Sequence, residues 1–425
     1  MPNRKNISFN SFFAGIGGFD LGLENQGFKP ILQCELNEFC REILKRQWPD
    51  AHLASDILSL NSADIPNADI WTGGFPCQDV SVARGSKTRD GLKGKNSGLF
   101  FPFAELIKSK QPKVILIENV LGLLSSHNGQ DFRVILETLS NAGYSTAWRV
   151  MNSRYFGSPQ SRPRVFICAS RSNPEMALAT LYERIAGLKP KNQRKGFLAA
   201  HECRTTGAIV AETAYCLAAT SGRHTGTDWS RTYVSYEAAV RRLTPTECER
   251  LQGFPVGWTS VNCPQTLTEL DIDTKRYQAL GNAVAVPVIE WIGERLKTSI
   301  NLRSKRISNT NLLSKYPDFG DHSVRQTKLS QVHLSTFKNG HTLKWQSGGI
   351  CIGDECWDIK APEAPSNPIE KKLIDLIDNE YPDDRYFISS NAAEGILRRV
   401  HNQNRTLFAP MHSALSRMVE KKDVA

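Results

Sequence analysis

Between Ile7 and Ser170 six short apolar runs alternate with helix-like segments: ISFNSFF, FKPILQCE, ADIWTGGF, KVILIEN, YSTAWRVM and RVFICAS. Apolar runs this short, recurring with helical segments between them, bury both faces of a sheet. They predict an α/β fold with a doubly wound, mostly parallel sheet. Such a sheet takes its ligands outside the carboxyl ends of its strands, so the residues that close each run are where chemistry is expected.

The rhythm defines an α/β domain over residues 1–170 and is lost beyond about Arg171. Residues 171–240 are rich in Thr, Gly, Ala and Arg and read as a separate, smaller domain. Patterning returns over 241–300 as the chain re-enters the α/β domain. There Thr244 is suited to cap a helix, with Pro245 at the first helical position and Glu247 three residues on. A closing helix is expected from Val284 to Leu296. Residues 301–348 hold eight Lys or Arg against two Asp with little periodicity, the composition of a flexible basic linker. In the extension at 349–425, Pro368 opens an expected helix with Ile369, Leu373, Leu376 and Ile377 on one face, and Ser390 is expected to cap another through Ala392 to Val400. On this division the fold closes near Val286, and catalysis is expected to survive deletion beyond about Ser304.

Composition narrows the function classes. Hydrophobic residues make up 40% and charged residues 23% of the 425, as in ordinary globular chains. No apolar stretch approaches the roughly 20 residues that span a bilayer, and no export signal precedes the first strand, so no membrane partner is expected. Ten cysteines at irregular intervals predict reduced thiols in a cytoplasmic protein. The Cys351 to Cys356 spacing is too little to indicate a metal. The net charge of +10 favours a polyanionic partner, because each neutralised phosphate releases counterions.

Four segments carry candidate chemistry. Phe13 to Gly18, FAGIGG, lies between a strand and a helix, where glycines permit a tight turn and close approach of a ligand. Glu35 closes the next strand, placed as the acidic residue that accepts from ribose hydroxyls in nucleotide-binding folds. In GGFPCQDVS, Pro76, Cys77 and Gln78 follow an apolar strand at the carboxyl edge, where a cysteine can reach a substrate. KVILIENV ends in Glu118, Asn119 and Val120; a carboxyl there can be kept protonated by partial burial and donate a hydrogen bond. In YFGSPQSRPRVF, Gln160, Arg162 and Arg164 alternate and share one side of an extended backbone, suited to phosphate or to orienting a carboxylate.

In order and spacing these segments resemble the C5-cytosine methyltransferase family: FAGIGG its cofactor loop, FPCQ its nucleophile motif, ENV its glutamate motif, QSRPR its arginine motif. RRLTPTECERLQGFP and YQALGNAV look like its last two motifs, so the resemblance covers residues 7 to 298. It implies an S-adenosylmethionine pocket lined by Phe13, Gly15, Gly17, Glu35, Asp56, Ile57, Pro76, Leu99 and Asn282, with Ile16, Gly18 and Ala283 beside them. The residues by themselves support Gly15, Gly17 and Glu35. Where the family usually carries Gly-Asn-Ser-Val, this chain has Gly281, Asn282, Ala283 and Val284, which removes a hydroxyl and keeps the backbone.

The resemblance further implies a DNA (cytosine-5)-methyltransferase that releases S-adenosylhomocysteine and needs no metal. Cytosine C5 is a poor nucleophile until the ring is activated by addition at C6. Cys77 would add there, Glu118 would hydrogen bond near N3, and Arg164 would orient the glutamate and hold the base, with Arg162 a further catalytic residue. The target must leave the duplex stack; Gln78, Ser81, Asn119 and Gln160 are expected to meet it, with the segment from Ser81 to Ser97 closing over it. Thr205, Thr206, Arg223, Thr225 and Thr227 of the small domain are candidates to read base edges in the major groove. The expected partner is double-stranded DNA, with a monomeric enzyme serving restriction-modification alongside a cognate endonuclease or protecting phage DNA. YFISSNAAEGILRRVHNQN loosely resembles a motif ending some phage-encoded methyltransferases. The other readings are a tRNA cytosine-5 methyltransferase, from a branch with the same nucleophile motif, and a catalytically silent DNA-binding regulator.

Overall fold

A computed structural model describes residues 7–76, 97–171, 173–185, 197–223, 226–261, 267–302, 308–320, 324–332 and 344–424. They fall into two compact units: Met1–Asn152 with Pro163–Lys189 and Val288–Pro368, and Ser153–Arg162 with Pro190–Pro287 and Ile369–Ala425.

The first unit is built on β1 (Ser8–Phe12), β2 (Lys29–Cys34), β3 (His52–Ala54), β4 (Ile70–Gly73), β5 (Val114–Val120), β6 (Ser145–Asn152) and β8 (Pro163–Ser170), which contain the six predicted runs. β14 (Arg325–Lys328), β15 (Gly348–Ile352) and β16 (Glu355–Ile359) complete a ten-stranded sheet in the order β14-β16-β15-β6-β8-β5-β4-β1-β2-β3. The stretch β5-β4-β1-β2-β3 is parallel, and the remaining pairs are antiparallel. Helices α1 (Gly18–Glu24), α2 (Glu38–Gln47), α3 (Phe100–Lys110), α4 (Gln130–Asn141) and α5 (Pro174–Leu181) occur between or after the strands. Val114 to Ile117 are all 0% exposed, as the unbroken apolar run of β5 requires.

The topology positions the site. From β1 the chain proceeds outward to β2 and β3, then returns to place β4 on the other side of β1 and β5 beyond it. The order therefore reverses between β1 and β4, and the crevice outside their carboxyl ends is where doubly wound sheets bind ligands. The FAGIGG loop leaves β1 and the GFP segment leaves β4 at that point.

Three expectations for the C-terminal part are corrected. The stretch 301–348 holds α9 (Asn309–Leu313) and β14, and its Leu329, Val332 and Trp345 are buried in the same apolar cluster as Phe132 and Trp148. β14, sequence RQTK, is an edge strand joined to β16 by its ladder and by the Arg325–Asp358 ion pair, so it carries no apolar alternation to betray it. Deletion beyond Ser304 would thus strip three strands from the sheet. The helix expected to open at Pro368 does not form: from Ile369 to Ile377 the chain makes only a short 3-10 turn, Leu373–Leu376. There the Ile369 and Leu373 amides donate to the carbonyls of Tyr155 and Glu212 at 2.9 Å each, so the backbone is captured by neighbouring chain instead. Cys351 and Cys356, cross-strand partners on β15 and β16, are joined as a disulfide rather than reduced.

The second unit contains a sheet of order β13-β12-β10-β9, made of β9 (Ala200–Glu202), β10 (Ile209–Ala211), β12 (Tyr233–Ser235) and β13 (Val240–Arg242), and a parallel pair of β7 (Gln160–Ser161) with β11 (Ala214–Tyr215). Its helix α6 (Pro245–Gln252) begins with the predicted capping box of Thr244 and Glu247. Glu247 also meets Arg241 in a buried bidentate pair at 2.8 and 2.9 Å. α7 (Glu269–Asn282) follows; α8 (Val286–Ser299), which overlaps the predicted closing helix, lies from Val288 onward in the first unit. α10 (Ser390–Asn402), capped by Ser389 rather than Ser390, and α11 (Ala409–Val424) form a helical hairpin. Ile396, Val400, Leu415 and Met418 of the hairpin pack with Tyr233 and Val240. The small unit thus differs from the expected 171–240: it begins at Pro190, leaving 171–189 in the first unit, and takes in 153–162, 241–287 and 369–425.

Candidate active site

The loop after β1 is bound to the end of β2. The Gly15 amide donates to Glu35 Oε2 at 2.7 Å, the Asn37 amide to Oε1 at 2.8 Å, and the Ala14 amide to the Cys34 carbonyl at 3.1 Å. Phe13, Gly15 and Gly17 have φ of 54°, 58° and 83°. At Gly17 a side chain is excluded twice, since a Cβ would also lie 2.4 Å from the Trp48 ring. Phe13 is a rarer case, because a bulky residue in the left-handed region costs about 1–2 kcal/mol; its ring is half-buried and meets Phe103 edge-on at 6.0 Å. Ile16 and Gly18 are buried beneath the loop.

Below the loop lies a polar network that sequence reasoning missed. Asp20 of α1 is fully buried and accepts from Ser11 Oγ at 2.9 Å and Gln33 Nε2 at 2.8 Å. Burial pushes its carboxyl up from 3.8 to about 6 against those hydrogen bonds. The only available signal was a carboxylate just after a glycine turn.

The cofactor candidates of this unit gather at the same edge. Asp56, half-buried after β3, accepts from the Leu58 amide at 3.0 Å, and Ile57 beside it is buried. Phe13 and Leu99 are partly buried against the cluster that holds Ile57 and Phe75, and Pro76 is half-buried. Among the described residues beyond its chain neighbours, no atom lies within 4 Å of a Cβ built on Gly15. Two half-buried carboxylates, a half-buried aromatic ring and an open glycine turn fit a cofactor that carries ribose hydroxyls and an adenine.

Glu118 and Arg164 come together through strand register. In the antiparallel β5–β8 pair Glu118 opposes Phe166 and Val120 opposes Arg164, so Glu118 and Arg164 are diagonal neighbours on one face. Arg164 Nε lies 3.1 Å from Glu118 Oε1, with the two side chains 16% and 14% exposed. A Cβ on Gly74 would lie 3.8 Å from Glu118 Oε2, so the chain leaving β4 passes beside this carboxylate. Asn119 points the other way and is 2% exposed. It donates to the Phe75 carbonyl at 3.2 Å and accepts from the Val120 amide at 2.9 Å, bracing the backbone two residues before Cys77. Its expected substrate contact is therefore replaced by a positioning role. Cys77, Gln78 and Ser81 lie outside the described residues, as does most of the expected closing segment.

In the second unit two expected substrate or catalytic side chains are internal struts. Gln160, 0% exposed, donates to the Leu251 carbonyl at 3.1 Å and Gln252 Oε1 at 2.8 Å and accepts from the Leu217 amide at 3.2 Å. Arg162, 3% exposed, donates to the carbonyls of Leu217, Gly281 and Ala283 at 2.8, 3.0 and 2.7 Å. Burying these polar groups requires such partners, and their alternation with Arg164 did not reveal it. Gly281 is required at its position, because a Cβ would lie 2.2 Å from the Ala218 backbone. Asn282 is exposed and Ala283 buried. Among the recognition candidates Thr205, Arg223 and Thr227 are exposed, and Thr225 lies outside the described residues. Thr206 is buried, its hydroxyl accepting from the Ala208 amide at 3.3 Å within the turn after β9.

A sheet whose parallel half carries a glycine turn at its switch point and acidic residues after β2 and β3, with an ion-paired glutamate beside the next loop, defines a Rossmann-like methyltransferase. In fold the chain is similar to the S. pombe Dnmt2 methyltransferase, with a TM-score of 0.51 at 19% identity over 70% of this chain and 100% of that one. The model of the family described as C-5 cytosine-specific DNA methylase matches residues 7–207 and 189–298. The chain is 33% identical over 357 residues to the Type II methyltransferase M2.BsuMI of Bacillus subtilis (strain 168), covering 79% of this chain and 88% of that one. It is 32% identical to the Type II methyltransferase M.NgoBI of Neisseria gonorrhoeae, covering 65% and 89%. The chain belongs to the C-5 cytosine-specific DNA methylase family.

Proposed function

We propose that the protein methylates C5 of a cytosine flipped out of a specific duplex DNA sequence, with S-adenosylmethionine as donor, in restriction-modification or phage DNA protection. The observation that carries this reading is the Glu118–Arg164 pair beside Gly74, three residues before Cys77. S-adenosylmethionine supplies an electrophilic methyl group. Glu35 and Asp56 would accept from its hydroxyls, and Phe13 and Leu99 would supply apolar contact to hold it.

The Cys77 thiolate adds to C6 of the cytosine while the Glu118 carboxyl, carrying its proton, donates to N3, so that charge from the addition is drawn into the ring nitrogen and C5 becomes nucleophilic. Arg164 fixes the Glu118 carboxyl group by a charge-assisted hydrogen bond. C5 would take the methyl group with S-adenosylhomocysteine as the leaving group; the C5 proton would then leave to solvent or a base, its bonding pair restoring the C5–C6 double bond as Cys77 is expelled from C6. Asn119 holds the backbone before Cys77, and Arg162 holds the segment that carries Asn282.

The test is expression in a host lacking cytosine methylation, with 5-methylcytosine mapped at single-base resolution in DNA and tRNA. Methylation confined to one short DNA motif is expected. Methylation of tRNA alone would move the enzyme to the RNA-modifying branch, and none in either would leave a silent regulator.

A further inference from the structure

The C-terminal helical hairpin is welded to the sheet of the second unit by an apolar cluster, yet its tip is polar and exposed. Each residue from His401 to Thr406, sequence HNQNRT, is exposed. From Gly395 to Val419 the chain has four arginines and no acidic residue.

The tip is closed by its own backbone. The Gln403, Asn404 and Arg405 amides donate to the carbonyls of Arg399, His401 and Val400 at 3.1, 2.9 and 3.0 Å, and Asn404 ends the turn at φ 49°. It also sits against the loop that carries Thr227. Arg399 pairs with Asp228 at 3.0 Å, and the Arg405 guanidinium lies 5.4 Å over the Trp229 ring.

The apolar faces of both helices are used in the cluster with Tyr233 and Val240, and what is exposed at the tip, Arg398 and His401 to Thr406, is polar and cationic, with the exposed Glu394 and Glu420 lying further along the helices. The side chains of the tip are those that engage duplex DNA, Asn and Gln pairing with adenine edges and Arg with guanine or phosphate. We propose that the α10–α11 tip, with Arg398 beside it, is a second DNA-reading element of the small unit, in which Arg398 and Arg405 bind phosphates and Asn402 and Gln403 read base edges. It rests on the DNA substrate proposed above and adds to it a part of the chain outside the matched family region.

The test uses the full-length protein and a duplex carrying the motif mapped for the unaltered chain. Each phosphate contact contributes about 0.9 to the slope of log affinity against log salt. The pair Arg398→Ala and Arg405→Ala should therefore flatten that slope by about 1.8, and the corresponding lysine pair should restore it. Asn402→Ala with Gln403→Ala should relax discrimination at one base position by roughly 5- to 150-fold, seen as a degenerate position in the 5-methylcytosine map. Thermal unfolding and S-adenosylmethionine binding, measured on each variant, separate these effects from misfolding. If the unaltered protein methylates a DNA motif but the variants keep its slope and its motif, this inference is wrong and the function stands. If the unaltered protein neither methylates nor binds duplex DNA, the proposed function fails and takes this inference with it.

Discussion

Asp20 should give the protein a stability term that runs opposite to that of most carboxylates. Its carboxyl is fully buried under the FAGIGG loop and raised from 3.8 to about 6 by burial. Between those two pH values the folded state binds a proton that the unfolded state has released, so stability falls as pH rises through the window. About two pH units at ~1.4 kcal/mol each give roughly 3 kcal/mol lost between pH 4 and 7. Other carboxylates titrate in the same range, so the informative quantity is the difference between the unaltered protein and Asp20→Asn. Asn keeps an acceptor for Gln33 Nε2 and presents a donor to Ser11 Oγ, which also has Thr72 Oγ1 at 3.3 Å. Urea midpoints measured from pH 4 to 8 should show the variant gaining on the unaltered protein as pH rises, with the gain complete by pH 7. Parallel curves for the two proteins would refute a raised Asp20.

Cys77→Ser is expected to abolish methyl transfer while leaving duplex binding largely intact; appreciable turnover in a labelled-methyl assay would sink the covalent step. Asn119→Leu leaves the Phe75 carbonyl without its donor, at a cost of about 1–3 kcal/mol, and should lower kcat by roughly tenfold or more with DNA affinity nearly unchanged. If DNA affinity fell and kcat held, Asn119 would be a substrate ligand after all. Arg162→Met strands three carbonyls and should lower the thermal midpoint strongly, whereas a stable but inactive variant would return Arg162 to the chemistry. Truncation after Ser304 should yield insoluble protein, because it removes β14, β15 and β16 and uncovers Trp148; a soluble, active truncation would show those strands to be dispensable.

The parallel core and the ends of its strands were legible in the sequence because their causes are local. Apolar periodicity places β1, β2, β4 and β5; glycine chemistry marks the loop after Phe12; Thr244, Pro245 and Glu247 announce the start of α6. Each depends on residues a few positions apart. Gln160, Arg162 and Asn119 depended on the fold. An extended backbone fixes only which side a residue faces, and whether that side meets a ligand or a carbonyl is decided by chain far away, such as Leu251, Gly281 or Phe75. The same holds for β14, an edge strand visible only through its pairing with β16, and for Ile369 to Ile377, where an amphipathic pattern loses to backbone partners at Tyr155 and Glu212. Sequence spacing determined which residue types arrive at the crevice outside β1 and β4. Long-range burial and pairing determined which of them are left facing it, because a polar side chain withdrawn from water takes whatever partner the packed chain brings within reach.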